Sequence, residues 1–157
     1  MNLEVCPATG HTDNLEAAMK KILVPYDGSD FSVRALAWAI AHRDSNDDEI
    51  HVAYVVPEPQ AWQTHGLEAQ AVEAQLRLHA KEVLTPAREQ LEKAQVKFHS
   101  HDLIGDIPHK IIELAKKLPA DLIVMGTHGH GNLLEIVLGS VAKKILHLAK
   151  IPVTLIK

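Results

Sequence analysis

DLIVMGTHGHGNLLEIVLGS, residues 121–140, is the stretch that decides the fold of this chain. Its apolar run ends at Gly126, Gly129 and Gly131 follow, and nine residues separate Gly129 from Gly139. An apolar stripe at helical spacing begins at Val141. A continuous apolar run is typical of a buried strand, and a stripe with a period of three to four is typical of a helix. The stretch therefore predicts a strand, a glycine loop and the start of a helix.

The glycine loop has the properties of a site for an anionic ligand. Glycine lets a backbone approach a ligand closely and accepts a positive φ. The amides at the start of a helix, with the positive end of its dipole, favour an anion such as phosphate. We expect Ser140 to be the N-cap of the helix, and its hydroxyl can also donate to a phosphate oxygen. The alternative is that these glycines only make tight turns.

The spacing of these glycines resembles the ATP-binding signature of the universal stress protein family: Gly126, two residues, Gly129, nine residues, then Gly139 and Ser140. The resemblance runs from residue 20 to 157 and includes VPYDGS at 24–29, DLIVM at 121–125 and IPV at 151–153. Family members of this kind bind ATP or AMP and usually form dimers. The resemblance implies a flavodoxin-like α/β fold of the adenine nucleotide α-hydrolase type, a three-layer sandwich. Its sheet would have five parallel strands in the order 3-2-1-4-5.

The resemblance also implies which residues contact the nucleotide. An acidic residue at the carboxyl end of the first strand can accept hydrogen bonds from ribose hydroxyls, so Asp27 is assigned to the sugar. The alternative role for Asp27 is a helix N-cap. The backbone of Val55 is assigned to adenine. The full set of expected contacts is Pro25, Tyr26, Asp27, Val55, Met125, Gly126, Thr127, His128, Gly129, His130, Gly131, Gly139, Ser140 and Val141.

The composition describes one globular domain that does not bind nucleic acid. The chain has 157 residues, of which 46% are hydrophobic and 23% charged, with a formal net charge of −4. That negative charge argues against non-specific binding of nucleic acid, and 4% aromatic residues are too few for a base-stacking platform. No apolar run approaches the roughly 20 residues that a membrane span needs. The single cysteine, Cys6, excludes an internal disulfide, and with no signal-peptide pattern we expect a cytoplasmic protein.

Apolar periodicity places the remaining elements. We expect residues 1–18 to be a loosely ordered N-terminal extension and 19–157 to be the domain. Pro86 lies inside a long helical pattern and predicts a kink or a break near Leu84. Asp106 is expected to cap the following helix. The predicted strands are 21–26, 50–56, 96–103, 122–125 and 153–156, and the predicted first and last helices are 32–43 and 140–149.

Two of the predicted strands are expected at exposed edges. In the third, Val96 and Phe98 alternate with Lys97, His99 and His101, which is typical of a partly exposed edge strand. The C-terminal strand, 153–156, pairs with its twin in a second subunit in many family members. That pairing would cover an exposed apolar edge, so we expect a homodimer.

Several phosphate chemistries do not fit the sequence. The chain has neither the Gly-Lys-Ser/Thr of a Walker A loop nor, after the first strand, the Ser-Gly-Gly-x-Asp-Ser of an ATP pyrophosphatase. Residues 127–130 resemble a nucleotidyltransferase signature, but that signature belongs after a first strand. No second carboxylate or arginine is visibly placed against a γ-phosphate, so we assign no catalytic residue. The main hypothesis is a nucleotide-dependent regulatory module of the stress response. The alternatives are a slow ATPase or phosphotransferase and a nucleotide-independent interaction protein.

The histidines suggest charge near phosphates more than a metal site. His99 and His101 would share one face of a strand, but no cysteine or carboxylate cluster completes a set, so we expect both to be solvated. Family members often have a basic residue where this chain has His128, and histidine is less reliably charged near pH 7. We therefore expect affinity for the nucleotide to fall as pH rises through the imidazole range. Mg²⁺, if present, would be held through phosphates and water, with no protein ligand that we can name.

Overall fold

The computed structural model describes residues 20–58, 67–129 and 138–157. The expected N-terminal extension, 1–18, lies outside these ranges, and the division into extension and domain stays a prediction. The elements in chain order are β1 Lys21–Pro25, α1 Asp30–Ala41, β2 Glu49–Val56, α2 Leu67–Lys93, β3 Lys97–Ile104, α3 Ile107–Lys117, β4 Leu122–Gly126, α4 Ser140–Leu148 and β5 Val153–Ile156.

The described strands form one parallel sheet in the order β3-β2-β1-β4-β5, which confirms the fold that the resemblance implied. Parallel strands need crossover connections, and the helices between them supply these. β1 pairs with β4 through Ile22 opposite Leu122 and Leu23 opposite Ile123. The chain order reverses at this pair of strands. Their carboxyl ends therefore meet at one crevice, where open α/β sheets bind ligands.

Helices cover both faces of the sheet, which gives the three layers. Ile22 and Val24 of β1 point into a core cluster that also contains buried residues of α1 and α2. Leu23, between them, points into a second cluster with residues of α3 and α4. The strand is buried on both faces, so its apolar run is continuous and does not alternate.

The break that we predicted near Leu84 is wrong, because α2 runs from Leu67 to Lys93 with Pro86 inside it. Leu84 is fully buried on the inner face, while Pro86 lies on the exposed face. A proline removes one helical hydrogen bond, and on the exposed side water can satisfy the carbonyl that is released. The hydroxyl of Thr85 also donates to the carbonyl of Lys81, 2.9 Å away. Packing of the inner face thus holds the helix together through the proline.

Candidate functional site

A cavity of about 710 Å³ opens at the carboxyl ends of β1, β2 and β4. Ligand sites of small molecules commonly have roughly 300–1,000 Å³. The walls come from the strand ends, the segment after β4 and the first turns of α3 and α4. The lining residues are Pro25, Tyr26, Asp27, Ser32, Ala53, Tyr54, Val55, Pro57, Ile107, Ile111, Met125, Gly126, Thr127, His128, Gly129, Leu138, Gly139, Ser140, Val141, Ala142 and Lys143.

The turn after β1 fixes the carboxylate of Asp27. Gly28 takes φ +80°, a conformation that favours glycine, and Ser29 caps α1 by accepting from the amide of Ser32 at 3.3 Å. Asp27 Oδ1 accepts from the amide of Ser29 at 3.0 Å and from its hydroxyl at 2.6 Å. The alternative role for Asp27 as N-cap is therefore filled by Ser29. The hydrogen bonds to Ser29 orient the Asp27 side chain at the edge of the cavity.

The signature glycines each lie where a side chain would collide with something specific. A Cβ on Gly129 would lie 2.5 Å from Asp27 Oδ2, and a Cβ on Gly126 would lie 2.6 Å from the Cβ of Phe31. A Cβ on Gly139 would lie 3.1 Å from the carbonyl oxygen of Thr127, which also accepts from the Gly139 amide at 2.9 Å. A side chain at Gly126 would collide with α1 at Phe31 and force the α1 backbone to shift. A side chain at Gly129 would collide with the acidic turn and displace the Asp27 carboxylate, whereas one at Gly139 would crowd the Thr127 carbonyl.

The start of α4 faces the same cavity. Gly139 is its N-cap, so our prediction that Ser140 would be the N-cap is wrong, and Ser140 is the first helical residue. Gly139 has no side chain with which to cap the first-turn amides. Those amides and the helix dipole therefore remain suited to an anion. Lys143, one turn further, lines the cavity, and its neighbour Lys144 lines an adjoining cavity of about 370 Å³.

Another part of the lining is apolar and also includes two tyrosines, Tyr26 and Tyr54. Val55 is almost fully buried and belongs to the same hydrophobic cluster as Ile111, with Ile107 packed against it. Burial first, and the nearby Asp27 carboxylate second, raises the pKa of Tyr26 and the pKa of Tyr54 above the usual phenol value. Both phenols therefore stay protonated at neutral pH. A flat apolar group fits this wall better than a charged one does.

His128 follows β4 and contacts α1 through the ring of Phe31. Its Nδ1 lies 3.1 Å from Thr127 Oγ1, and its ring lies against Phe31 with a centroid distance of 5.3 Å. The guanidinium of Arg34 lies 4.7 Å from the centroid of the same Phe31 ring. Positively charged or chargeable groups thus gather on this side of the cavity, around one aromatic ring.

The structure brings nearly all of the predicted site residues to one cavity. The residues from the prediction that line it are Pro25, Tyr26, Asp27, Val55, Met125, Gly126, Thr127, His128, Gly129, Gly139, Ser140 and Val141. His130 and Gly131 lie outside the described residues. The lining residues that sequence reasoning missed are Ser32, Ala53, Tyr54, Pro57, Ile107, Ile111, Leu138, Ala142 and Lys143. Among these residues, Ile107 and Ile111 had a clear sequence signal, their helical spacing of four. That spacing predicted buried core positions and not a wall of a ligand site.

The prediction that His99 and His101 would be solvated holds for one of the two. His99 is exposed, but His101 is half-buried, and both rings stack on the buried ring of His51. Within residues 20–58, 67–129 and 138–157, no three His, Cys, Asp or Glu side chains are arranged to hold a metal ion. In the same ranges no helix has the length and apolar character to cross a membrane.

Comparisons with known proteins agree with this geometry. The model of the universal stress protein family matches residues 19–157. Universal stress protein MJ0531 of Methanocaldococcus jannaschii is 36% identical over 152 residues, which is 92% of this chain and 85% of that protein. The solved structure of MJ0577 from the same organism is 28% identical, has a TM-score of 0.79 and covers 88% of this chain and 95% of its own. The universal stress protein of Archaeoglobus fulgidus in complex with dAMP is 25% identical, with a TM-score of 0.62 and coverages of 88% and 98%.

Proposed function

The chain belongs to the universal stress protein family, and from this premise we propose that it binds an adenine nucleotide, ATP or AMP. The observation that carries the proposal is the near contact between the Asp27 carboxylate and the backbone of Gly129 across one cavity. A carboxylate suits ribose hydroxyls, and backbone amides without side chains suit phosphates. The two groups are close enough for one nucleotide to touch both.

The proposed pose follows from the chemistry of the walls. Adenine lies against the apolar wall of Val55, Ile107 and Ile111, with its edge toward the main chain of β2. The ribose lies at Asp27. The phosphates run along the glycine loop toward the first turn of α4, whose amides and dipole attract negative charge. Any Mg²⁺ is held by phosphate oxygens and water, because that ion favours oxygen ligands and keeps waters.

One relative supports the ligand class directly. The Archaeoglobus fulgidus protein was solved with dAMP, an adenine nucleotide, and its chain is covered almost completely by the match. We propose the same class of ligand for this chain because of the residues that line its own cavity. The members of the contact set are those assigned from the sequence, with Lys143 added from the structure.

The nucleotide is proposed to act as a regulatory signal in a cytoplasmic stress response. The expected effect of occupancy is to order segment 126–138, of which residues 130–137 lie outside the described ranges, and so to alter a surface that a second subunit or a partner binds. That role needs binding but no turnover. We therefore propose no catalytic residue.

A homodimer through β5 is part of the proposal. Among the described strands β5 pairs with β4 alone, and its residues Val153–Ile156 are all partly exposed. An open parallel edge is a template for another strand, and a second copy would cover it. Sedimentation velocity should then give about twice the chain mass of 17.3 kDa, and a single 17.3-kDa species at micromolar concentration would refute the dimer.

Isothermal titration of the purified protein with ATP, AMP and GTP tests the proposed function. Saturable binding of ATP or AMP at one site per chain, with weaker binding of GTP, is the expected result. The rival function is a slow ATPase or phosphotransferase. Quantifying ADP and AMP formed from Mg·ATP over hours separates the two, because turnover above about 1 s⁻¹ is ordinary for an enzyme and would overturn a binding module. If no nucleotide binds and none co-purifies, the protein acts independently of nucleotide.

A further inference from the structure

Three imidazoles form a cluster on the face of the sheet that α3 covers. The register places His51 of β2 between Leu23 of β1 and His99 of β3, and it places His101 beside Ala53. Side chains two apart on a strand share a face, so His99 and His101 both reach toward His51. We refer to His51, His99 and His101 as the imidazole cluster.

The middle ring of the imidazole cluster is buried. His51 is 4% exposed, and its centroid lies 5.0 Å from that of His99 and 5.3 Å from that of His101. Its Nδ1 lies 3.1 Å from His101 Nε2, which is hydrogen-bond distance. Its Nε2 is buried and has no hydrogen-bond partner among the described residues. The nearest acidic atom, Glu49 Oε2, lies 3.6 Å from that nitrogen.

These contacts select one arrangement of protons. A bare Nε2 lone pair on His51 would face the Glu49 carboxylate, whereas an Nε2–H is attracted to it. We therefore assign the Nε2–H tautomer, in which His51 Nδ1 accepts from His101 Nε2–H. In this form the pair is neutral. A proton added at His51 Nδ1 would point at the N–H that now donates to it, so the hydrogen bond between the strands is kept only if His101 moves its own proton to Nδ1.

Charges of both signs surround the imidazole cluster, and together they do not offset the effect of burial, which lowers the pKa of His51 and of His101. Burial most of all, then His101 and His99, lowers the pKa of His51 from 6.5 to about 4. Burial also lowers the pKa of His101, with His99 as the second cause. The charged groups that act on the two rings are Glu49 on β2, Lys21 on β1, Asp102 on β3 and Lys117 on α3, and Asp102 itself pairs with Arg77 of α2.

We propose that the imidazole cluster is an acid-responsive latch that holds β3 on β2 while it is neutral and weakens that pairing when it takes up protons. β3 is the strand on which such a latch would act, since it is an edge strand that pairs with β2 alone in the described sheet. Protonation places positive charge in a buried site between the two strands. The folded arrangement resists that charge, and the opened arrangement does not.

The latch has a route to the nucleotide cavity, and this part rests on the proposed function. β3 leads through Gly105 and Asp106 directly into α3, whose Ile107 and Ile111 line the apolar wall. Loosening β3 therefore loosens the wall against which adenine is proposed to lie. Acid would lower the affinity for nucleotide through this wall, and this effect opposes the gain in affinity at low pH that we expect from the imidazole of His128.

Hydrogen exchange of the β3 amides tests the latch without a nucleotide. With an open-state pKa near 6.5 and a folded value near 4, the protection of amides 97–104 should fall by about tenfold between pH 7.5 and 5.5, after correction for intrinsic exchange. Amides of β1, a central strand, exchange through global unfolding, which also exposes His51, so they should lose protection as well but stay better protected than those of β3 at pH 5.5. In the His51→Phe variant, which keeps a ring in the stack but cannot titrate, the pH-dependent loss at β3 should vanish.

Two further variants make the result decisive. His51→Leu fills the same buried position with an apolar side chain that cannot titrate, and it serves if His51→Phe fails to fold. His147→Gln on the exposed side of α4 is the matched control and should behave as the wild type does. The latch is overturned if the β3 amides are as well protected as those of β1 at pH 5.5, or if the loss persists in both His51 variants. Binding of AMP at pH 7.5 in the same variants checks separately that the nucleotide site is intact.

Discussion

The carboxylate of Asp27 lies where a side chain on Gly129 would have to go: a Cβ on that glycine would be 2.5 Å from Asp27 Oδ2. Real Cβ atoms do not approach oxygen so closely. Asp27 lies in the turn after β1 and Gly129 follows β4, and they are 102 positions apart in the chain. Their contact joins the acidic turn and the glycine loop into a single site.

Gly129→Ala tests that contact most economically. The new methyl group must displace the Asp27 carboxylate, which Ser29 holds at its other oxygen, so the ribose loses its aligned acceptor. A charged hydrogen bond contributes roughly 1.5–3 kcal/mol, so AMP affinity should fall by about 10- to 100-fold. Titration calorimetry measures the affinity, and thermal unfolding should show a melting temperature close to that of the wild type.

Gly126→Ala should act on the fold, which makes it the matched contrast. Its Cβ would lie 2.6 Å from Phe31 Cβ and 2.9 Å from the Phe31 main-chain carbon, and a helix backbone cannot yield as a side-chain tip can. Overpacking of this kind costs roughly 1–3 kcal/mol of unfolding free energy. If Gly129→Ala destabilises the protein as much as Gly126→Ala does, the contact with Asp27 is structural and the binding argument fails.

Asp27→Asn should remove discrimination between sugars. The amide keeps an acceptor for Ser29 but loses the negative charge that strengthens a hydrogen bond from a hydroxyl. The wild type should prefer AMP to its 2′,3′-dideoxy analogue by about tenfold, and the variant should bind both with similar affinity. A preference that survives the substitution would place the ribose away from Asp27.

Lys143→Ala should change the preference for the number of phosphates. Lys143 lines the cavity one turn after the start of α4, so in the proposed pose we expect its ammonium to contact the outer phosphates of ATP and not the single phosphate of AMP. An exposed charge pair contributes about 1 kcal/mol, which predicts a loss of about fivefold for ATP and less than about twofold for AMP. Lys144→Ala, in the adjoining cavity, is the control, and equal losses for both nucleotides in Lys143→Ala would refute this role.

The buried His51 predicts a loss of stability in acid. Its folded-state pKa, about 4, lies below the unfolded value of 6.5, so between these pH values the unfolded chain binds more protons than the folded chain. The stabilisation is therefore complete above pH 6.5 and is lost as pH falls toward 4. The shift corresponds to about 3 kcal/mol of unfolding free energy. Urea unfolding at a series of pH values should show a flatter profile for His51→Phe than for His147→Gln.

The sheet order was implied by the resemblance to the family, whereas the placement of Asp27 and the glycine loop at strand ends could be predicted because those signals are local. The spacing of Gly126, Gly129 and Gly139 is read within one segment, and Asp27 follows a strand directly. The apolar wall was missed, because Ile107 and Ile111 look like ordinary core residues until α3 is placed beside the strand ends. Contacts between elements depend on packing, which a one-dimensional pattern does not contain.

The errors have the same origin. Pro86 predicted a break from its local chemistry, but the buried inner face of α2 outweighs one missing hydrogen bond. Ser140 and Gly139 are adjacent, and which of the two caps α4 depends on backbone angles that the sequence leaves open. His51 was not linked to His99 and His101, because the pairing register between β2 and β3 is set across the intervening α2.

The most direct test of the central claim is an ATP titration of the wild-type protein followed by NMR of its backbone amides. We predict saturable shifts, with a common dissociation constant, at Gly129, Gly139 and Ser140 in the phosphate-binding part and at Val55 on the adenine side. The same titration of Gly129→Ala should reach saturation only at much higher ATP. Shifts that do not saturate, or saturable shifts confined to residues away from this cavity, would contradict the account.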